Sequence, residues 1–146
     1  MTTHVPVRIT YTQAVKRLTK IVDRTEQKHG VGCGYKDVDR NYYDSAADCR
    51  YFDANSKPRC LIGVLLAEYG VTLADMTESV DMNGETVDNV IDKLPWLTTS
   101  KRALVYLRAA QDRQDNGASW RDAIVGGPVP QLIRSPMGDP TEGAAL

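Results

Sequence analysis

Three cysteines, Cys33, Cys49 and Cys60, and one histidine, His29, are the residues of this chain best suited to metal or nucleophile chemistry. His29 and Cys33 lie about one helical turn apart, and Cys49 and Cys60 could complete a four-ligand zinc set. No two of the cysteines form the tight CxxC knuckle from which structural zinc sites take a ligand pair. Cys60 also opens an apolar run, where a thiol serves as a small buried hydrophobe. A Cys–His nucleophile would depend on His29, because the other histidine, His4, sits at the start of the chain. The expectation is therefore no enzyme, no catalytic residue, no bound metal and no cofactor, with metal binding on His29 and the cysteines as the weaker alternative.

Asp37, Asp39, Asn41, Ser45 and Asp48 fall on the ligand positions of a helix-flanked calcium loop. Tyr42 stands where that loop needs glycine for its sharp turn, so a solvated acidic loop is the simpler reading. Gly30, Gly32 and Gly34 alternate, but they follow a helix instead of a strand and lack the spacing of a nucleotide loop. The same segment carries four of the seven tyrosines beside basic residues. Tyrosine and arginine dominate binding hot spots because they offer rigid area with a polar end. Tyr35, Arg40, Tyr42, Tyr43, Arg50 and Tyr51 are accordingly the candidate contact residues for a protein partner. Stacking on exposed bases is the alternative use of the same loop, and packing of the rings onto the helices is the plain structural one.

These residues must be positioned by an ordinary core. The chain has 146 residues, 42% hydrophobic and 25% charged, enough to bury roughly two-thirds of its unfolded surface without disulfides or metal. Lys+Arg of 18 against Asp+Glu of 19 excludes a strongly basic nucleic-acid module. The apolar run at 60–67 is far short of the ~20 residues that span a membrane, and the N-terminus lacks a secretory pattern. A cytoplasmic setting is expected.

Tyr11, Ala14, Val15, Leu18, Ile21 and Val22 share one helical face, and Thr10 with Gln13 forms a capping box. A helix is predicted over 11–29, stopped by Gly30. Residues 49–52 could form a short strand before the turn at 53–58. A buried helix follows from Cys60 to Tyr69, stopped by Gly70, and Gly63 inside it suggests a close helix crossing. Thr72 can cap a short turn. Asn83-Gly84 precedes a helix carrying Val87, Val90, Ile91 and Leu94, or else closes a small hairpin. Thr98, Thr99 or Ser100 caps the next helix, which Asn116-Gly117 ends. Ser119 caps the last, Trp120 to Val125. Trp120 is expected in the core. Residues 128–146 contain four prolines and no period, so they are predicted to be a flexible tail with one apolar island, 129–134.

The run Lys57-Pro58-Arg59-Cys60-Leu61-Ile62-Gly63, closed by Tyr69-Gly70-Val71, resembles a G-x-P-x-C-L-I-G helix. Ala110-Gln111-Asp112-Arg113-Gln114-Asp115-Asn116-Gly117 through Trp120 and Ala123 resembles a second signature, A-Q-x-x-Q-D-x-G-x-x-W-x-x-A. Both occur, in this order, in a group of small uncharacterised proteins of actinobacteria and of the phages that infect them. Ser56-Lys57 departs from that pattern where the group has a turn glycine. The resemblance implies a phage or prophage accessory protein in a bacterial cell, and it carries no catalytic residues. Physically, Trp120 and the cluster of Gln111, Gln114 and Asp115 can tie the last two helices together through buried, satisfied hydrogen bonds.

The fold expected is mainly α: a domain of four to five helices over 1–127, with room for one short β-hairpin, and a tail over 128–146. The function expected is non-enzymatic binding of a host protein. A homodimer is a further partner expectation, nucleic acid the alternative, and a membrane is excluded.

Overall fold

Thr10 and Gln13 begin the longest helix as the sequence predicts. The Thr10 hydroxyl accepts the Gln13 N–H and the Gln13 side chain accepts the Thr10 N–H, both at 3.2 Å. In the computed structural model, which describes residues 4–34, 37, 50–78 and 81–125, that helix is α1, Tyr11–His29. Its apolar stripe of Ala14, Leu18, Ile21 and Val22 is buried. Gly30 ends it at φ +100°, a conformation that L side chains rarely adopt.

Five further helices follow among the described residues: α2 (Leu61–Glu68), α3 (Leu73–Thr77), α4 (Val87–Lys93), α5 (Lys101–Asp115) and α6 (Trp120–Val125). Helix α1 packs against α2, α5 and α6, while α4 lies on α5. One continuous buried cluster draws on all six helices. The expected caps form at Thr72, which makes a reciprocal box with Asp75, and at Ser100, whose hydroxyl accepts the Ala103 N–H at 3.1 Å. Ser119 accepts the Asp122 N–H at 3.1 Å. The predicted tail, 128–146, lies outside the described residues.

The sheet departs from expectation. Two three-residue strands, β1 (Val7–Ile9) and β2 (Leu97–Thr99), pair in parallel, with Val7 opposite Leu97. They are not a hairpin. Strands so short carry almost no alternation, and their pairing joins segments that only the packing of the intervening helices brings together. Asn83-Gly84 closes no hairpin either, and α4 takes the helical alternative. Asn83 instead clamps residue 52 as a neighbouring strand would: its amide donates to Phe52 O at 2.7 Å and accepts the Phe52 N–H at 3.0 Å. Phe52 also bridges Pro58 in antiparallel fashion around the 53–57 turn. Ser56 in that turn has φ +63°, a left-handed conformation that favours glycine.

Gly63 does permit a close approach, but of this 51–59 arm and not of a helix. A Cβ at Gly63 would stand 2.4 Å from Tyr51 O. The two buried glutamines also act differently from the sequence expectation. Gln111 accepts the Val87 N–H and Gln114 the Leu61 N–H, each at 2.8 Å, so α5 caps the starts of α4 and α2. The last two helices meet through other groups: Tyr106 donates to Ile124 O at 3.2 Å and Arg113 to Ala123 O at 3.1 Å.

Candidate binding groove

Two of the three cysteines have structural roles. Cys60 is fully buried and its sulfur caps α2, accepting the Gly63 N–H at 3.3 Å. Cys33 is buried, and its backbone carbonyl accepts the Trp120 N–H at 2.9 Å, tying the exit of α1 to the start of α6. Burial, reinforced by the Glu26 and Asp37 carboxylates, pushes the Cys33 thiol up and so disfavours the thiolate that metal binding or nucleophilic attack needs. His29 is exposed in the last turn of α1. Among the described residues no group of three or more His, Cys, Asp or Glu side chains is placed to hold a metal ion. Cys49 lies outside those residues. So do Asp39, Asn41, Ser45 and Asp48 of the calcium-loop pattern, while Asp37 accepts the Gly34 N–H at 2.8 Å.

Of the six predicted contact residues, Tyr35, Arg40, Tyr42 and Tyr43 lie outside the described residues. Arg50 is half-buried. Tyr51 is a correction: it is wholly buried and belongs to the core, not to a contact surface. Its hydroxyl donates to Glu85 O at 2.6 Å and accepts from Gln111 Nε2 at 2.6 Å. A ring held this way cannot face a partner. The period-free sequence around it gives no sign of which tyrosine turns inward.

The described surface does contain a concave site. Tyr11, Val15 and Thr19 of α1 face Tyr106 of α5 and Arg121, Ile124 and Val125 of α6 around an open cavity of about 380 Å³. The α1 residues recur at one-turn spacing, which puts them on the flank of the core stripe. The Tyr11 and Tyr106 rings meet edge to face at 5.4 Å, and the Arg102 guanidinium covers the Tyr11 ring at 4.5 Å. Val125, part of the groove wall, is 67% exposed.

Thr19, Tyr106 and Arg121 of this groove make hydrogen bonds within the protein. The Thr19 hydroxyl donates to Val15 O at 2.7 Å, and the Tyr106 hydroxyl to Ile124 O. Burial, with the neighbouring Tyr11, pushes the Tyr106 phenol up to about 12. Arg121 reaches across to α1, with Nη2 2.6 Å from Asp23 Oδ1 and 2.7 Å from Glu26 Oε1. Those bonds hold the guanidinium above its ordinary pKa and Glu26 below the usual carboxylate range. What the groove leaves to an incoming group is apolar contact and aromatic surface. Grooves with walls of this kind suit apolar contact.

Sequence reasoning places Val15 on an apolar face but does not reveal the groove. Its walls come from three helices, and only their packing angles leave space between them. Gly34, at the start of the segment singled out for its tyrosines, packs on the backbone of Ala118 and Ser119, immediately before α6.

Among the described residues no helix is long and apolar enough to cross a membrane. Comparison with protein-family models, with curated proteins and with solved structures found no match to the chain.

Proposed function

We propose that this chain is a non-enzymatic binding protein that engages a protein partner through the groove between α1 and α6, together with the predicted Tyr/Arg contact residues. The observation that carries this reading is the groove: aromatic and aliphatic walls stand open while the Thr19 and Tyr106 hydroxyls donate within the protein and Arg121 pairs with Glu26. Such a surface rewards an apolar side chain and offers little to a phosphate or a small polar substrate. Tyr35, Arg40, Tyr42, Tyr43 and Arg50 would extend the contact with rigid rings and cationic ends. The resemblance of the two sequence signatures to proteins of actinobacteria and their phages supports a bacterial cytoplasm as the setting and a host protein as the partner.

The test is affinity capture of the tagged chain from actinobacterial lysate, with and without nuclease, beside a Thr19→Arg variant. Thr19 is half-buried in the groove wall, so arginine there fills the space with a charged side chain. A partner retained after nuclease and lost in a folded Thr19→Arg protein is the expected result. Capture that disappears with nuclease would replace this reading with nucleic-acid binding, whose affinity falls steeply with salt. Capture indifferent to Thr19→Arg would overturn the groove as the site.

A further inference from the structure

We infer that the groove is regulated by the chain's own segment Val129-Pro130-Gln131-Leu132-Ile133, which docks into it in cis and competes with an external partner. This rests on the groove being the binding surface. Three observations point to this occupant. The described chain ends at Val125, which is itself part of the groove wall and largely exposed there. The groove is walled mainly by aliphatic and aromatic side chains, and the Thr19 and Tyr106 hydroxyls donate within the protein, so it favours an aliphatic, uncharged occupant. In the sequence outside the described residues, 129–133 is the run that combines three branched aliphatic side chains with no charge.

The connection has the right reach and stiffness. Four residue steps from Val125 to Val129 span at most about 13 Å, comparable with the width of a helix. Gly126 and Gly127 can take the dihedrals of a reversal, and Pro128 and Pro130 favour extended backbone on either side of Val129. Extended proline-containing segments suit grooves lined by aromatic rings, because little conformational freedom remains to be lost. A tether this short sets an effective concentration of order millimolar, so even a weak contact is populated. Partner affinity is then reduced by the occupied fraction: half occupancy weakens it about twofold.

The experiment compares side-chain NMR spectra of the full chain, a Leu132→Asp/Ile133→Asp double variant, and a chain ending at Gly127. Val125 lies beside the cut, so the reporters are the Val15 methyls and the Tyr11 ring on α1. Docking predicts the same shift at these reporters in both altered proteins. A synthetic peptide of residues 128–136 added to the shortened chain then moves them back saturably. Identical reporter positions in all three proteins would overturn the proposal, as would a peptide without effect at millimolar concentration. A difference that disappears on dilution would place the segment in the groove of a second copy and overturn docking in cis. The two readings separate cleanly: unshifted reporters with partner capture still sensitive to Thr19→Arg would remove only this inference. Shifted reporters with capture indifferent to Thr19→Arg would remove the partner site and leave the intramolecular contact.

Discussion

Gln111 and Gln114 sit one turn apart on α5, and each accepts the first backbone N–H of a different helix, Val87 in α4 and Leu61 in α2, at 2.8 Å. One helix thus holds the starts of two others. Both side chains are 1% exposed, so their hydrogen bonds are made in a low-dielectric interior. Their amide nitrogens are also used: Gln111 donates to the Tyr51 hydroxyl at 2.6 Å and Gln114 to Asp115 at 2.9 Å.

Replacing either glutamine with alanine leaves a buried N–H without an acceptor and opens a cavity. Each change is expected to cost about 1–3 kcal/mol in urea unfolding. Gln111→Ala also strips a donor from Tyr51. A loss below about 0.5 kcal/mol would show that solvent reaches the helix start.

Gly63→Ala tests the approach of the 51–59 arm. In an ordinary helix the change would gain about 1 kcal/mol from propensity. Here the new methyl meets Tyr51 O at 2.4 Å and Tyr51 Cα at 3.0 Å, both backbone-bound atoms that cannot rotate away. A net destabilisation of about 2 kcal/mol or more is expected, measured by denaturant unfolding. A stabilised variant would mean the arm does not lie on α2.

Trp120 is 1% exposed, and its indole N–H has no hydrogen-bond partner among the described residues. Trp120→Ala is expected to cost about 3–5 kcal/mol through lost packing. Trp120→Phe keeps much of the ring volume and gives up no such bond, so it is expected to cost about half as much or less. Equal losses from the two variants would show that the indole nitrogen is bonded.

Acid and alkali act on different groups. Arg121 holds Glu26 below its ordinary pKa, so this pair stabilises the fold above the unfolded glutamate value of about 4.3 and ceases to do so as pH falls through the lowered one. The stability difference between the protein and an Arg121→Gln variant should be present at pH 7 and shrink in acid. A difference that grows on acidification would contradict the pairing.

Tyr106 has the opposite sign. Its phenol is raised from the ordinary value near 10 to about 12, so the neutral form contributes stability below about pH 10 that is lost as pH rises toward 12. Tyr106→Phe should flatten that alkaline loss, while leaving Ile124 O without its donor at about 1 kcal/mol. Thermal unfolding followed from pH 8 to about 11, within the range where the shift acts, checks both effects.

Much of the helical architecture follows from neighbouring residues alone. Thr10, Gln13 and Gly30 delimit α1 because caps and terminating glycines act within a turn of the chain. Thr72, Ser100, Gly117 and the apolar stripes of α4 and α5 were legible for the same reason. Side-chain type also separated Trp120 from the surface. What depends on distant partners was not legible: that Gln111 and Gln114 cap other helices, that Gly63 admits a strand-like arm, and that Val7 pairs with Leu97 in parallel. Tyr51 shows the difference most plainly. Its composition and neighbours match those of a contact loop, yet Asn83, Glu85 and Gln111 supply the polar partners that let a tyrosine be buried. The groove belongs with these, since three helices define its walls and no single one encodes the space between them. Local sequence determines where helices begin, end and turn their apolar faces; only the tertiary structure decides which polar groups are satisfied inside and which apolar surface is left open.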